Sequence, residues 1–284
     1  MKQAILVVAF GSTVDSAREH QIDAVVNRIK EKYTDYEVRL AFSSRIIVKR
    51  LRDRGIEIPT EQGALDALIG EGYTDIYVQP LHFTGGEEFD KLKHNILNHE
   101  RAQELNTLRV GRPLVYYMGQ EEHPNDYQIL IDTFVTSLSV SNEDGLLLVG
   151  HGGLGSGNSA YGYLQYQLIR SGLNHIRVAT LENAPYVADI AVPWEWLDGK
   201  KPNKIYVHPL LLVLGDHALN DLFGDEEDSV VNVLKEAGYE VEEMHHALGE
   251  YTEIQDIYCQ HIQDCIDDIY GKRSSHRPTI PNIK

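Results

Sequence analysis

Short runs of aliphatic and β-branched residues alternate along the chain with longer stretches in which apolar positions recur every three or four residues. In the first part, AILVVAF (4–10), EVRLAF (37–42) and DIYVQPL (75–81) have strand character, and helical patterns cover 15–33, 44–54 and 60–71. A second series follows, with GLLLVGH (145–151), HIRVATL (175–181), KIYVHPLLLV (204–213) and YEVEEMHHAL (239–248) as its apolar runs. Helical patterns lie over 158–172, toward Leu197, over 226–237 and over 250–270. This rhythm predicts an α/β fold of parallel sheets with helices on both faces. The segment KRSSHRPTIPNIK after Gly271 reads as a mobile tail.

The two series match where parallel strands should end. Ile5–Gly11 (ILVVAFG) lies over Leu146–Gly152 (LLLVGHG), which sets Phe10 opposite His151 and Gly11 opposite Gly152. Tyr77–Glu88 lies over Tyr206–His217, pairing Pro80 with Pro209, Gly86 with Gly215 and Glu88 with His217. Two matched blocks in one order argue for internal duplication. The expectation is therefore two similar doubly wound parallel-sheet halves facing across a cleft. Their bounds are 1–138 for the N-terminal half, 139–271 for the C-terminal half and 272–284 for the tail.

A length of 284 residues, 42% of them hydrophobic, suits two ordinary cores. Charge narrows the partners. With 26 Lys and Arg against 43 Asp and Glu the balance is 26 − 43 = −17, which repels nucleic acid and anionic membranes unless a basic patch intervenes. The basic clusters, Lys49, Arg50, Arg52 and Arg54 and the pair Lys272 and Arg273, are short, so neither partner is expected. The apolar run in MKQAILVVAFGST is too short for a secretory signal, and no stretch approaches about 18 apolar residues, so a cytoplasmic protein is expected. Cys259 and Cys265 are six apart, which fits thiols on different faces of the closing helix and no disulfide framework.

Ligands of open α/β sheets sit beyond the carboxyl ends of the strands, where loops converge and helix N-termini offer unpaired N–H groups. His151 follows LLLVG there, His217 follows the strand VHPLLLV inside the loop LGDHALND, Glu182 follows HIRVATL, and Glu87 and Glu88 follow YVQPLHFTGG. Two imidazoles and a carboxylate suit a divalent first-row metal with open coordination positions. Other chemistries fit less well. No GxxxxGK[ST] or GxSxG occurs, and GHGGLGSG (150–157) has no acidic ribose partner about 20 residues on. Of the remaining histidines, His208 is expected to be packed inside its strand, His82 to lie at a strand end, and His245 and His246 to face opposite sides.

These residues resemble the class II, anaerobic-type sirohydrochlorin cobaltochelatases, relatives of ferrochelatase. The likeness runs through ILVVAFGST, AFSSRIIVKRLR, GYTDIYVQPLHFTGGEEFDKL, the GHG at His151, the ATLENAP at Glu182 and PLLLVLGDHALNDLFGDEEDS. It implies a chelatase-like fold and insertion of Co²⁺ into sirohydrochlorin in anaerobic corrinoid synthesis, with an anionic tetrapyrrole and a divalent metal ion as partners and no organic cofactor. It places the metal-binding histidines on His151 and His217 and the cleft glutamates on Glu88 and Glu182. His151, Glu182 and His217 are then the metal set, and His151, Glu88 and Glu182 the catalytic set. Glu182 is third ligand or proton acceptor, and Glu88 is proton acceptor or macrocycle-positioning group. Arg45 and Lys49, on the helix after AFSS, are placed either to meet substrate carboxylates or to form a solvated helix face. Ni²⁺ or Fe²⁺ as the metal, a homo-oligomer, and a tetrapyrrole or metal carrier without insertion activity all stay open.

Overall fold

The computed structural model describes residues 2–191, 194 and 201–270. Its strands form two four-stranded parallel sheets of the same connectivity, β2-β1-β3-β4 and β6-β5-β7-β8. The expected tail, and the stretch from 195 toward Leu197, lie outside the described residues.

The first sheet contains β1 (Gln3–Ala9), β2 (Glu37–Phe42), β3 (Asp75–Pro80) and β4 (Thr107–Val110), flanked by α1 (Asp15–Ala17), α2 (Asp23–Lys32), α3 (Arg45–Asp53), α4 (Glu61–Gly70) and α5 (Glu87–Leu97). The second contains β5 (Gly145–Gly150), β6 (Ile176–Thr180), β7 (Lys204–Pro209) and β8 (Glu240–Glu243). Its helices are α6 (Asp126–Thr133), α7 (Ser159–Arg170), α8 (Val187–Ala191), α9 (Asp216–Phe223) and α10 (Val230–Glu236), and α11 (Thr252–Ile266) closes the fold. Strands β3, β5 and β6 are buried along their whole length, because helices cover both faces of a parallel sheet; such strands read as continuous apolar runs. Side chains cap the helices where the pattern starts them. Ser44 accepts the Ile47 N–H at the head of α3, Thr60 the Gly63 N–H of α4, and Ser229 the Asn232 N–H of α10.

The structure departs from the pattern in three places. Strand β4 and helices α5 and α6 fill stretches the periodicity leaves blank, β4 being only four residues long with part-buried and buried residues alternating. The segment expected as a loop around His217 is helix α9, and β7 stops at Pro209 instead of running to Val213. The chain divides into one unit of Met1–Leu114 with the segment from Ile254, and another of Val115–Glu253. That division falls earlier than a boundary at residue 138 and moves the closing helix into the first unit. No helix among the described residues is long and apolar enough to cross a membrane.

Helix α11 is tied to the first unit by polar contacts as well as by Ile254, Tyr258 and Ile262. Arg112 and Asp264, 8% and 7% exposed, pair at 2.7 Å. Arg28 grips Asp256 with two bonds of 2.9 and 3.1 Å, and the Tyr33 hydroxyl donates to the Cys259 carbonyl. The Tyr258 hydroxyl donates to the His82 carbonyl, which also takes the Leu114 N–H. Cys259 and Cys265 are free thiols on this helix, the first of them buried.

Two buried histidines report on the packing. His208, within β7, is fully buried; its Nε2 lies 2.9 Å from the Tyr251 hydroxyl and its ring is edge-on to Phe134. The ring nitrogens of His82, just past β3, are buried without a hydrogen-bond partner. Burial pushes each imidazole down to about 4.

These two rings make the fold sensitive to acid. An imidazole whose folded pKa lies near 4, against 6.5 for the unfolded chain, is protonated more readily in the unfolded state. Stability is therefore complete above about pH 6.5 and declines as the pH falls toward 4, by roughly 3 kcal/mol for each of the two residues. Urea unfolding at stepped pH measures the slope, and His82→Phe should flatten it. Separately, Asp264→Ala leaves Arg112 without its buried carboxylate and should cost about 3–5 kcal/mol by the same assay.

Candidate metal centre

The carboxyl ends of three adjacent strands, β6, β5 and β7, carry the residues expected to bind metal. His151 is the first residue past β5, Glu182 the second past β6, and His217 the second residue of α9, whose N-cap is Gly215. The parallel ladder continues one step beyond the strands. The Leu181 amide donates to the Gly150 carbonyl and the Glu182 amide to the His151 carbonyl, both at 3.0 Å. This continuation brings two side chains together: His151 Nδ1 lies 3.5 Å from Glu182 Oε2, with the side chains 57% and 60% exposed. Nδ1 also lies 3.2 Å from the Gly152 carbonyl, which favours the Nδ1–H tautomer and leaves the Nε2 lone pair outward.

The loop after β5 is held from below. Gly150 has no Cβ because one would strike the ring of Tyr161, a residue of α7 only 5% exposed. The backbone N–H groups of His151 and Gly152 hydrogen-bond to the Tyr161 phenol oxygen, opposing the burial that pushes this phenol up to about 12. Gly152 turns with φ +84°, a conformation that other residues adopt at a cost of roughly 1–2 kcal/mol. Asn158 joins the two loops: its Oδ1 accepts the Gly153 N–H and its Nδ2 donates to the Ala184 carbonyl. Thr180 Oγ1 donates to the Asn183 carbonyl in the same turn. Neither Tyr161 nor Asn158 stands out in the sequence. Tyr161 is one apolar position of an amphipathic helix, and an Asn at the head of a helix reads as a cap, although its side chain caps nothing here.

His217 is exposed at the start of α9. Among the described residues no group of three or more His, Cys, Asp and Glu side chains is close enough to hold a metal ion, so the structure assembles the His151–Glu182 pair while His217 stands on the neighbouring strand's helix. Glu88 is exposed in the first turn of α5, beside Glu87, and both carboxylates face Lys91, at 3.4 and 2.8 Å. A carboxylate is favoured there by the helix dipole.

The first unit repeats this framework with other side chains. Ser43 and Ser44 amides donate to the Ala9 and Phe10 carbonyls, as Leu181 and Glu182 do to Gly150 and His151. The Phe42 amide reaches the Pro59 carbonyl as that of Thr180 reaches Pro185, and Leu81 bonds to Val8 as Leu210 does to Val149. Gly11 has φ +105° where Gly152 has +84°. Positions His151, Glu182 and His217 of the second unit thus correspond to Phe10, Ser44 and Glu88 of the first. Of these Phe10 is 51% exposed. Arg45 and Lys49 are exposed on α3, and Arg45 meets Gln62 Oε1 at 3.2 Å.

An exposed imidazole and carboxylate held on adjoining strand ends can take a divalent ion and still let it go, since the remaining coordination positions are open. Relatives point the same way. The cobalt chelatase (CbiK) family profile matches residues 3–267. The sirohydrochlorin cobaltochelatase of Salmonella typhimurium is 30% identical over 270 residues, 94% of this chain and 97% of that protein. The sirohydrochlorin cobaltochelatase CbiKC of Nitratidesulfovibrio vulgaris is 26% identical over 263 residues, 92% and 89% of the two chains. Among solved structures, SirB from Bacillus subtilis with Fe3+ has the same fold, with a TM-score of 0.67, 17% identity and coverage of 97% of this chain and 100% of that one. Matched along nearly its whole length, the chain belongs to the cobalt chelatase (CbiK) family.

Proposed function

We propose that this chain is a sirohydrochlorin cobaltochelatase that inserts Co²⁺ into the free-base macrocycle on the anaerobic route to corrinoids. What carries the reading, within a cobalt chelatase family, is the exposed His151–Glu182 pair, 3.5 Å apart on adjoining strand ends beside the helix that bears His217.

Insertion exchanges ligands and protons together. The ion leaves protein donors for four pyrrole nitrogens, and the two pyrrole N–H protons leave as it enters, so the net charge carried in by M²⁺ is carried out as two H⁺. The protein must therefore hold the ion weakly and offer a proton acceptor nearby. His151, through Nε2, and His217 are the metal ligands. Glu182, beside Nδ1 of His151, can orient that imidazole, bind the ion as a third ligand or accept a proton. Glu88 serves as a second proton acceptor or positions the macrocycle. No organic cofactor takes part. The metal is substrate, and because imidazole and carboxylate donors alone do not choose among neighbours in the Irving–Williams series, Ni²⁺ and Fe²⁺ compete for the same ligands.

Purified protein mixed with sirohydrochlorin and Co²⁺, Ni²⁺ or Fe²⁺ in turn, followed by visible absorbance, tests the proposal. The expected result is metallation by Co²⁺ faster than the spontaneous reaction. His151→Ala and His217→Ala should each slow insertion by about 100-fold or more, a loss of ~2.7 kcal/mol of transition-state stabilisation, with circular dichroism unchanged. Glu88→Gln should keep both binding steps within about tenfold and slow single-turnover insertion by about 100-fold. If the parent binds both partners and never exceeds the spontaneous rate, it is a carrier.

A further inference from the structure

Helix α7 buries one face in the second unit and leaves a second, equally regular face bare. Ala160, Tyr161, Leu164, Gln167 and Leu168 are the buried side. Opposite them, at about 100° per residue, Ser159, Gly162, Tyr166 and Ile169 share one arc of roughly 80° and recur at spacings of three, four and three, the seam by which one helix packs on another. All four are exposed, Tyr166 by 52% and Ile169 by 37%. Two features of this seam have no cause inside the chain. Gly162 stands in mid-helix, where glycine is the poorest former after proline, yet it has no positive φ, and a Cβ there would meet nothing within 4 Å among the described residues. The other feature is charge. From Gly145 to Leu181 the chain carries none of its 43 acidic residues, although its net charge is −17. Leu154, Tyr166 and Ile169, exposed large apolar side chains of the second unit, all lie in that acid-free span. Charge returns only at the rim, where Arg170 lies over the Tyr166 ring and Gln128 of α6 links Asp132 to Ser171, just past the helix.

We propose that this seam is where a second copy of the chain docks, with α7 packed antiparallel on its twin about a twofold axis. A twofold contact sets one patch against itself, so the patch has to be its own complement. This one is, by size. It is small at its N-terminal end and bulky at its C-terminal end, and antiparallel pairing places Tyr166 of one copy over Gly162 of the other and Ile169 over Ser159. The side chain missing at Gly162 is then the room for the Tyr166 ring. Two copies that each carry −17 repel one another over most of their surfaces, and a face without carboxylates is where they can approach. The 12 residues of α7 span about 18 Å, a short contact, so the dimer should be reversible with a dissociation constant in the micromolar range.

Sedimentation equilibrium of the whole chain from about 1 to 100 µM measures that constant. The expected result is a concentration-dependent dimer that is tighter in about 0.5 M KCl than in about 0.05 M, because salt screens the repulsion between copies and leaves the apolar contact intact. Tyr166→Glu and Gly162→Gln should each weaken it at least about tenfold, with circular dichroism unchanged, since both positions are exposed. Gly162→Gln should also raise the thermal midpoint of the dilute monomer, because glutamine is the better helix former; a glycine required by the chain's own packing would give a lower midpoint instead. A parent that stays monomeric at about 100 µM overturns the pairing and leaves the seam to a different partner. An assembly that both variants leave within about twofold of the parent, or that added KCl dissociates, overturns it as well.

Discussion

The amide of Glu182 bonded to the carbonyl of His151 is the contact on which the candidate metal site rests. It extends the parallel ladder one residue past the strands, where each chain would otherwise turn away on its own. A backbone bond fixes two Cα atoms more firmly than a side-chain contact does, so the imidazole and the carboxylate become neighbours before any metal arrives. Three nearby residues support that bond. Gly152, at positive φ, turns the loop aside, Tyr161 collects the two amides the turn leaves over, and Asn158 ties the loop to its neighbour. Pre-organisation of this kind suits an ion that has to be both caught and released, because the free energy of shaping the site is supplied by folding and is not drawn from metal binding.

The same bond, from Ser44 to Phe10, recurs in the first unit with none of the metal chemistry around it. The framework is thus indifferent to the side chains mounted on it. The candidate residues differ between the repeats, while Gly11 and Gly152, and Pro80 and Pro209, recur in both.

Much of this was legible from periodicity and from the resemblance, for a physical reason. Strands buried on both faces, such as β3, β5 and β6, show as unbroken apolar runs, and the catalytic candidates fall at their carboxyl ends because that is where a parallel sheet has room. His208 was readable as a packed residue from its place inside a strand. Elements at the margin were not legible. Strand β4 alternates at a sheet edge over four residues, too few to establish a period. Helix α9 is written DHALNDLF, in which Asp and Asn mimic a turn, so the pattern places His217 on a loop. Helix α11 clusters with the first unit although it is distant from it in sequence, and no local pattern records that. The side chains beneath the His151–Glu182 pair, Tyr161 and Asn158, carry their meaning only through backbone groups that folding brings to them.

Because α11 belongs to the first unit while Val115–Glu253 forms the other, the two units cannot be completed in the order in which they are synthesised. The second unit is continuous and has all its strands and helices once Glu253 has left the ribosome. The first has its sheet from early on, but Arg112 must wait for Asp264 and Arg28 for Asp256. A nascent chain therefore carries an unfinished N-terminal unit past a finished C-terminal one, with the apolar bed of α11 open to solvent until the end. The closure of α11 on a sheet made long before it is also a high-contact-order step, which slows completion of the first unit.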